Sequence, residues 1–417
     1  MTLSRENRLQ AAVIRKRRLE LKWKQEAFAA TLPVSLSYYS EMERGLCPIP
    51  EDLLPLIRKQ LRLPQPNSHW IEEIQTRLEL IRHKLYSCAF EQAGLLMEKA
   101  LAEKNRIDHS VLFLDFELTR LIWSVSCAPR EEKKRIALIE RYADCLSEEQ
   151  RYVFQLYQGI LYKALHQPEK AEKQFQTLLN GHCHFRYYTE LLYYHAAIAE
   201  IQKGNYVTAM IYNQRAEQAF TAEANLYRLA YTLMHEAIIY THEHQYAKAE
   251  QLYCRLLEQC GSALPDKVFN SLIGNAGYSC LQAGHYSKAL NHYRNLKAGW
   301  EVFPELFFGI AWSLLQTDAT EELHRFLDRY RTVPKNKFID DVLEIIEMQS
   351  HPGQEKRMES KLKRCERYLL SEGSEESIVF VYEQLIRYYE SRSVVRQNRY
   401  LKKLAGLKQR GYHYGER

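Results

Sequence analysis

The sequence predicts an all-α chain, with a small helical head followed by a long array of paired helices. Three observations point there. Gly (16) and Pro (12) are scarce in 417 residues, and few stretches look like strands bounded by turn clusters. Apolar residues recur at helical spacing from Leu9 onward. The long remainder repeats itself at intervals of about 38–40 residues. The length suits one small domain and one large one.

The net charge of +6 is unevenly placed. Residues 1–66 hold 12 of the 58 Lys and Arg but only 7 of the 52 Asp and Glu. A locally basic head on a near-neutral body fits phosphate-backbone binding by the N-terminus, with a plain solubilising bias as the simpler account. The 9 Cys are odd in number and scattered, with no CxxC pair, which fits a reduced compartment. No apolar run approaches a membrane span, and Met1 opens into polar sequence. The expectation is a cytoplasmic protein without a signal peptide or membrane partner.

In the head, Leu9, Ala12, Val13, Leu19 and Leu21 mark the inner face of a first helix, with Arg15, Lys16 and Arg17 on the other side. A second short helix runs from about Lys24, with Ala27, Phe28 and Leu32 inward. After a break at Pro33-Val34, Ser35 is placed to cap a third helix, Leu36 to Glu43, and Gly45 to end it in a left-handed conformation. Two further helices are expected between Glu51 and Leu63. Gln25-Glu26-Ala27-Phe28-Ala29, then Val34 to Gly45, resembles the helix-turn-helix of the phage-repressor (Cro/C1, XRE) family. The resemblance implies a five-helix domain whose third helix enters the major groove of a double-stranded DNA operator. It places Leu36, Ser37, Ser40 and Glu41 at base edges, and Gln25, Tyr38 and Arg44 at phosphates with the Arg15–Arg18 run near them. It also implies a buried structural ion pair, Arg18 with Glu43. Leu36 and Glu41 depart from the polar or basic residues common in the family. Pro33 stands where glycine is usual and cannot take a positive φ, so the turn must be built differently. A head that kept the fold for protein contacts alone is the competing reading.

Leu63-Pro64-Gln65-Pro66-Asn67-Ser68 breaks helical periodicity and reads as a semi-rigid joint. The expected domains are 1–66 and 67–417, with Trp70 opening the second. There, Gly159, Ala197, Ala237 and Gly277 align as small residues of a first helix. Ala171, Ala209, Ala249 and Ala289 follow twelve positions on, and Phe175, Asn213, Tyr253 and Tyr293 four beyond those. Turns fall at His166-Gln167-Pro168, Lys203 to Tyr206, His244 to Tyr246 and Ala283 to Tyr286. Weaker copies lie near Ala93, Trp123, Trp312 and Arg396. This resembles the tetratricopeptide repeat, with a period longer than that family's 34. The resemblance implies a right-handed TPR-like α-solenoid with atypical end repeats.

Repeat packing accounts for most of the 29 Tyr. By repeat phase, Tyr194, His195, Gln202, His235, Thr241, His242, Asn275, Tyr278 and Gln282 should face the concave groove. Satisfied structural histidines are the competing reading for the three His. A side-chain amide such as Asn275 can donate to and accept from a peptide backbone, so it can clamp an extended ligand.

Catalytic signatures are missing: HExxH, GxSxG and glycine-rich phosphate or dinucleotide loops do not occur. No enzyme activity and no cofactor are expected. His182-Cys183-His184 is the one dense set of metal-type ligands and reads as a surface turn, so no metal site is assigned.

The order of head, joint and array resembles the RRNPP-type peptide-pheromone receptors of Gram-positive bacteria (Rgg, Rap, NprR and PlcR types), and NprR most in architecture. That implies a quorum-sensing transcription regulator. It would bind a short linear signalling peptide in the groove and assemble as a homodimer or higher oligomer. The alternative is a Rap-like interaction protein that sequesters a response regulator, with the DNA-binding head secondary. A scaffold without a small ligand is the third possibility.

Overall fold

The computed structural model describes residues 4–65, 67–165, 167–351, 355–372 and 375–413. Pro66 of the joint and His166 of the first turn lie outside the described residues. Those described contain helices and no strands. None of their helices is long and apolar enough to cross a membrane. The chain forms two compact units, Met1–Ala199 and Glu200–Arg417.

The first unit begins with α1 (Arg5–Glu20), α2 (Gln25–Ala29), α3 (Leu36–Glu43) and α4 (Leu54–Leu61). Ser4 caps α1 through Asn7 N–H, and Ser35 caps α3 through Tyr38 N–H. Gly45 takes φ +69° just after α3. Ile14, Phe28, Ala29, Leu32, Tyr39, Met42, Leu53, Ile57 and Leu61 form the head core. Four helices precede the joint instead of five. Residues Glu51 to Leu53 are a turn, because Pro55 is tolerated only in a first helical turn and so fixes the start of α4. Two assignments to the inner face are corrected. Ala27 is exposed because α2 is barely more than one turn and spends its inner face on Phe28 and Ala29. Leu19 is 44% exposed because the adjacent Arg18 occupies the buried phase. Non-helical Leu63 to Gln65 lead to α5 (Ser68–Tyr86), where Asn67 caps the Trp70 N–H.

Helix pairs follow in the same unit: α6 (Phe90–Ala102), α7 (Lys104–Asp108), α8 (Phe113–Cys127), α9 (Lys133–Arg141), α10 (Glu148–Ala164), α11 (Pro168–Leu179) and α12 (Tyr188–Gln202), whose last three residues belong to the second unit. Gly159 on α10 leaves room for the Phe175 ring on α11: a Cβ there would stand 2.6 Å from it. His182, Cys183 and His184 are exposed in the loop between α11 and α12.

The second unit continues with α13 (Tyr206–Ala222), α14 (Leu226–His242), α15 (Tyr246–Cys260), α16 (Asp266–Gln282), α17 (Tyr286–Tyr293), α18 (Pro304–Gln316), α19 (Thr320–Tyr330), α20 (Lys337–Gln349), α21 (Glu355–Glu372), α22 (Glu375–Tyr389) and α23 (Val394–His413). Three apolar clusters succeed one another along it, as expected where each repeat packs mainly on its neighbours. The small–aromatic pairing recurs: a Cβ at Gly277 would lie 2.3 Å from Tyr293. Asn213 replaces the aromatic in its repeat and donates to the Thr232 carbonyl at 2.9 Å.

Five turns in this unit end a helix alike. Gly204, Ala224, His244, Gly284 and Asp318 have positive φ, and the N–H groups of each and of its successor return to the last turn's carbonyls. The left-handed conformation costs an L-residue roughly 1–2 kcal/mol, against about 0.5–1 kcal/mol of extra chain entropy for glycine. Ala224→Gly is therefore expected to stabilise the second unit by about 0.5–1 kcal/mol. A lower denaturation midpoint for this variant would count against that assignment.

Candidate functional site

In the head, the elements that position α3 meet at one carboxylate. Glu43 accepts from Arg18 Nε at 2.5 Å and Nη2 at 3.0 Å, from Gln25 Nε2 at 2.7 Å and from the Tyr39 hydroxyl at 3.1 Å. Arg18 Nη1 also donates to the Trp23 carbonyl at 2.5 Å. Arg18 and Glu43 are both buried. The hydrogen bond to Glu43 outweighs burial and raises the Arg18 pKa, while burial first and Glu43 next push the Tyr39 phenol up. This hub ties α1, α2 and α3 together. It turns Tyr39, Met42 and Glu43 inward and leaves Leu36, Ser37, Tyr38, Glu41 and Arg44 exposed, with Ser40 half-buried.

The expected phosphate contacts divide. Arg15 and Arg44 are exposed, and Arg44 Nε rests on the Ser40 carbonyl at 3.3 Å. The Gln25 amide group is spent on Glu43. The Arg15–Arg18 run does not present four cations. Arg18 is in the hub, Lys16 donates to the Asp108 carbonyl at 2.8 Å, and Arg17 donates to the Leu61 carbonyl at 3.1 Å. Exposed apolar groups on this head include Leu36, Tyr38 and Leu46.

The groove candidates also divide. Tyr194 is buried, with its ring edge-on to His195, whose Nδ1 lies 3.2 Å from Lys163 Nζ. Both sit in the first unit, and Tyr194 is not on an open face as repeat phase suggested. In the second unit, His235 and His242 lie on α14 and Asn275, Tyr278 and Gln282 on the neighbouring α16. Asn275, Tyr278 and His235 are half-buried, and Gln202 and Gln282 are exposed. His242 stacks on Tyr206 with centroids 5.2 Å apart. Thr241 is corrected from groove-facing to buried. Its hydroxyl bonds to the Ala237 carbonyl at 2.9 Å and to Ser279 Oγ at 3.1 Å, because a short hydroxyl at this contact satisfies itself locally.

Sequence reasoning missed a cavity of about 990 Å³ in the first unit, lined by Arg82, Asp115, Gln150, Tyr86, Tyr187 and Tyr188 among others. Arg82 Nη1 donates to both Asp115 oxygens at 3.1 Å and to Thr119 Oγ1 at 2.7 Å, and Gln150 Nε2 donates to Asp115 at 2.7 Å. Burial pushes the Tyr188 phenol up to about 12. One signal was available: Glu72, Gln75, Glu79 and Arg82 form a polar stripe on α5 opposite Ile74, Leu78, Ile81 and Leu85. Among the described residues no group of three or more His, Cys, Asp or Glu could hold a metal ion.

No protein-family model matches the chain, and no curated protein matches its sequence. Solved structures do match. A Rap protein complexed with Competence and Sporulation Factor aligns with TM-score 0.65 and 13% identity, over 82% of this chain and 99% of that one. The apo form of the quorum sensor NprR from B. thuringiensis aligns with TM-score 0.62 and 18% identity, over 81% and 99%. The repeats have the fold of the Rap and NprR proteins. NprR in complex with its cognate peptide NprX aligns with TM-score 0.56 and 17% identity, over 81% and 99%. At these identities the likeness is one of architecture, an all-helical tetratricopeptide-like array.

Proposed function

We propose that this protein is a DNA-binding transcription regulator, with residues 1–66 as its DNA-reading domain and residues 67–417 as a peptide-sensing and oligomerising domain. One observation carries the DNA reading. The N-terminal turns of α3 present Leu36, Ser37 and Glu41 outward, with Ser40 at their edge, while the Glu43 hub holds the opposite face rigid. That is the geometry a recognition helix needs, because base readout demands fixed side chains at the helix start. Ser37 and Ser40 can donate or accept, Glu41 can accept from a cytosine amino group, and Leu36 can meet a thymine methyl.

A mobility assay on DNA upstream of the protein's own gene tests this. Binding should fall with salt, and Arg15→Ala should flatten the slope of log K against log salt by about 0.9, the value of one phosphate contact. Ser37→Ala should weaken the preferred sequence and leave non-specific binding intact. Wild-type protein without salt-dependent binding would sink the reading.

Peptide sensing is supported by the two matched proteins solved with peptide or signalling factor and by the half-buried polar groups of α14 and α16. A ligand that binds one arrangement better than another shifts the population toward it. The peptide should stabilise the protein by mass action, by about 2.7 kcal/mol at a hundredfold excess over Kd and read as a higher melting temperature, and Asn275→Ala should reduce that gain. No shift with any peptide encoded beside the gene would argue against this sensor. In this reading the protein works in the cytoplasm as a homodimer or higher oligomer, without cofactor or catalysis.

A second reading is favoured by the exposed Leu36, Tyr38 and Leu46, which suit a protein surface better than a phosphate backbone. There the head and repeats hold a response regulator or another signalling protein. A pull-down that depends on Leu36 and Tyr38, with no DNA binding, would select it.

A further inference from the structure

Helix α1 is buried on more than one side. Ala11, Ala12, Val13 and Ile14 are consecutive and all buried, whereas a helix on the outside of a head buries one stripe. Ile14 belongs to the head core, and Val13 borders a small cavity with Trp70, Ile71 and Val111. The polar groups continue the contact. Arg5 Nε donates to the Cys145 carbonyl at 3.0 Å and its Nη2 to Gln150 Oε1 at 2.6 Å. Lys16 Nζ donates to the Asp108 carbonyl and stands 5.5 Å from the Phe113 ring centre. Arg17 Nη1 lies 3.0 Å from His109 Nε2, which lies 2.9 Å from Glu20. Glu20 also takes Lys16 at 2.8 Å and Arg17 at 3.1 Å.

We infer that α1 is the arm by which residues 104–150 seat the head, and that Lys16 and Arg17 serve this seat instead of DNA phosphates. Charge-assisted bonds to fixed partners hold both cations. A phosphate could recruit them only by undoing the seat. The seat thus sets the direction of α3 and withholds two cations, so a ligand or partner that moves residues 104–150 moves the head. The DNA part of this inference rests on the reading proposed above; the seat itself does not.

Two measurements separate them. Hydrogen exchange on the full chain reports the seat: Lys16→Ala/His109→Ala should lower protection of residues 104–112 at least tenfold, as local opening becomes easier. Unchanged protection overturns the seat, whatever the DNA result. Binding to a short mixed-sequence duplex reports the cations. Lys16→Ala in the seated protein should leave the salt slope unchanged. Glu20→Ala/His109→Ala removes the carboxylate and imidazole partners of Lys16 and Arg17 and leaves them only their carbonyl contacts, so it should steepen the slope by up to about 1.8, two contacts of about 0.9 each. A slope that Lys16→Ala alone flattens by about 0.9 overturns the inference. If no duplex binds at all, the proposed DNA function fails and the exchange result still decides the seat.

Discussion

Replacing Glu43 by alanine is expected to destabilise the head by about 3–5 kcal/mol, the cost of breaking a buried ion pair from one side. Arg18 is only 6% exposed, and the substitution leaves its guanidinium charged in a dry site. Two further donors, the Gln25 amide and the Tyr39 hydroxyl, lose their acceptor at the same time. Domains are stable by only about 5–15 kcal/mol, so a loss of this size leaves a small head partly unfolded at ambient temperature. Hydrogen exchange across residues 25–43 would show it directly, and DNA binding should fall with it. Arg18→Met/Glu43→Leu is the informative control. It removes the charges together and should cost much less than Glu43→Ala, because no unpaired charge remains. A Glu43→Ala head that melts within about 1 kcal/mol of wild type would show that the pair does not organise the three helices.

The parts of the molecule legible in the sequence are those fixed by short-range chemistry or by internal repetition. Ser35 as a cap and Gly45 as a left-handed stop bracket α3 correctly because both act within one turn. The pairing of Gly159 with Phe175 and of Gly277 with Tyr293 can be read because each repeat serves as an alignment for the others. Burial on two sides of a helix leaves no such mark. Ala11 to Ile14 look like an ordinary apolar run until the second partner is seen, so the seating of the head was invisible, and with it the fate of Lys16 and Arg17. Repeat phase assigns a face but not what already occupies it, which is why Tyr194 and Thr241 were misplaced. The unit-one cavity is assembled from α1, α5, α8, α10 and the Tyr187–Tyr188 corner, and only its α5 stripe can be read along the chain.

Substituting Gly277 is expected to have the largest effect in the repeats, and of the sign opposite to the usual one. Replacing glycine by alanine inside a helix ordinarily stabilises by about 0.5–1 kcal/mol. Gly406 on α23, where a Cβ would meet nothing within 4 Å, should follow that rule. At Gly277 the Cβ would lie 2.3 Å from Tyr293 Cε1 and 2.5 Å from Cζ, far inside van der Waals contact. The ring cannot retreat, because a Cβ at Gly309 would already stand 2.4 Å from its hydroxyl on the other side. Tyr293 is a wedge between two glycines on α16 and α18, so an added methyl must part helices. Overpacking of this kind costs about 1–3 kcal/mol, more than the propensity gain. Gly277→Ala should therefore lower stability by about 1–2 kcal/mol, and Tyr293→Leu in the same chain should recover part of it through a coupling of about 0.5–3 kcal/mol. Additive losses in the double variant would show that the ring and the glycine do not define the helix spacing. The position also ties packing to sensing. Gly277 lies between Asn275 and Tyr278 on α16, so parting α16 from its neighbours displaces the side chains proposed to hold the peptide. Gly277→Ala should then weaken peptide binding by more than its stability loss alone explains, whereas Gly406→Ala should leave it untouched.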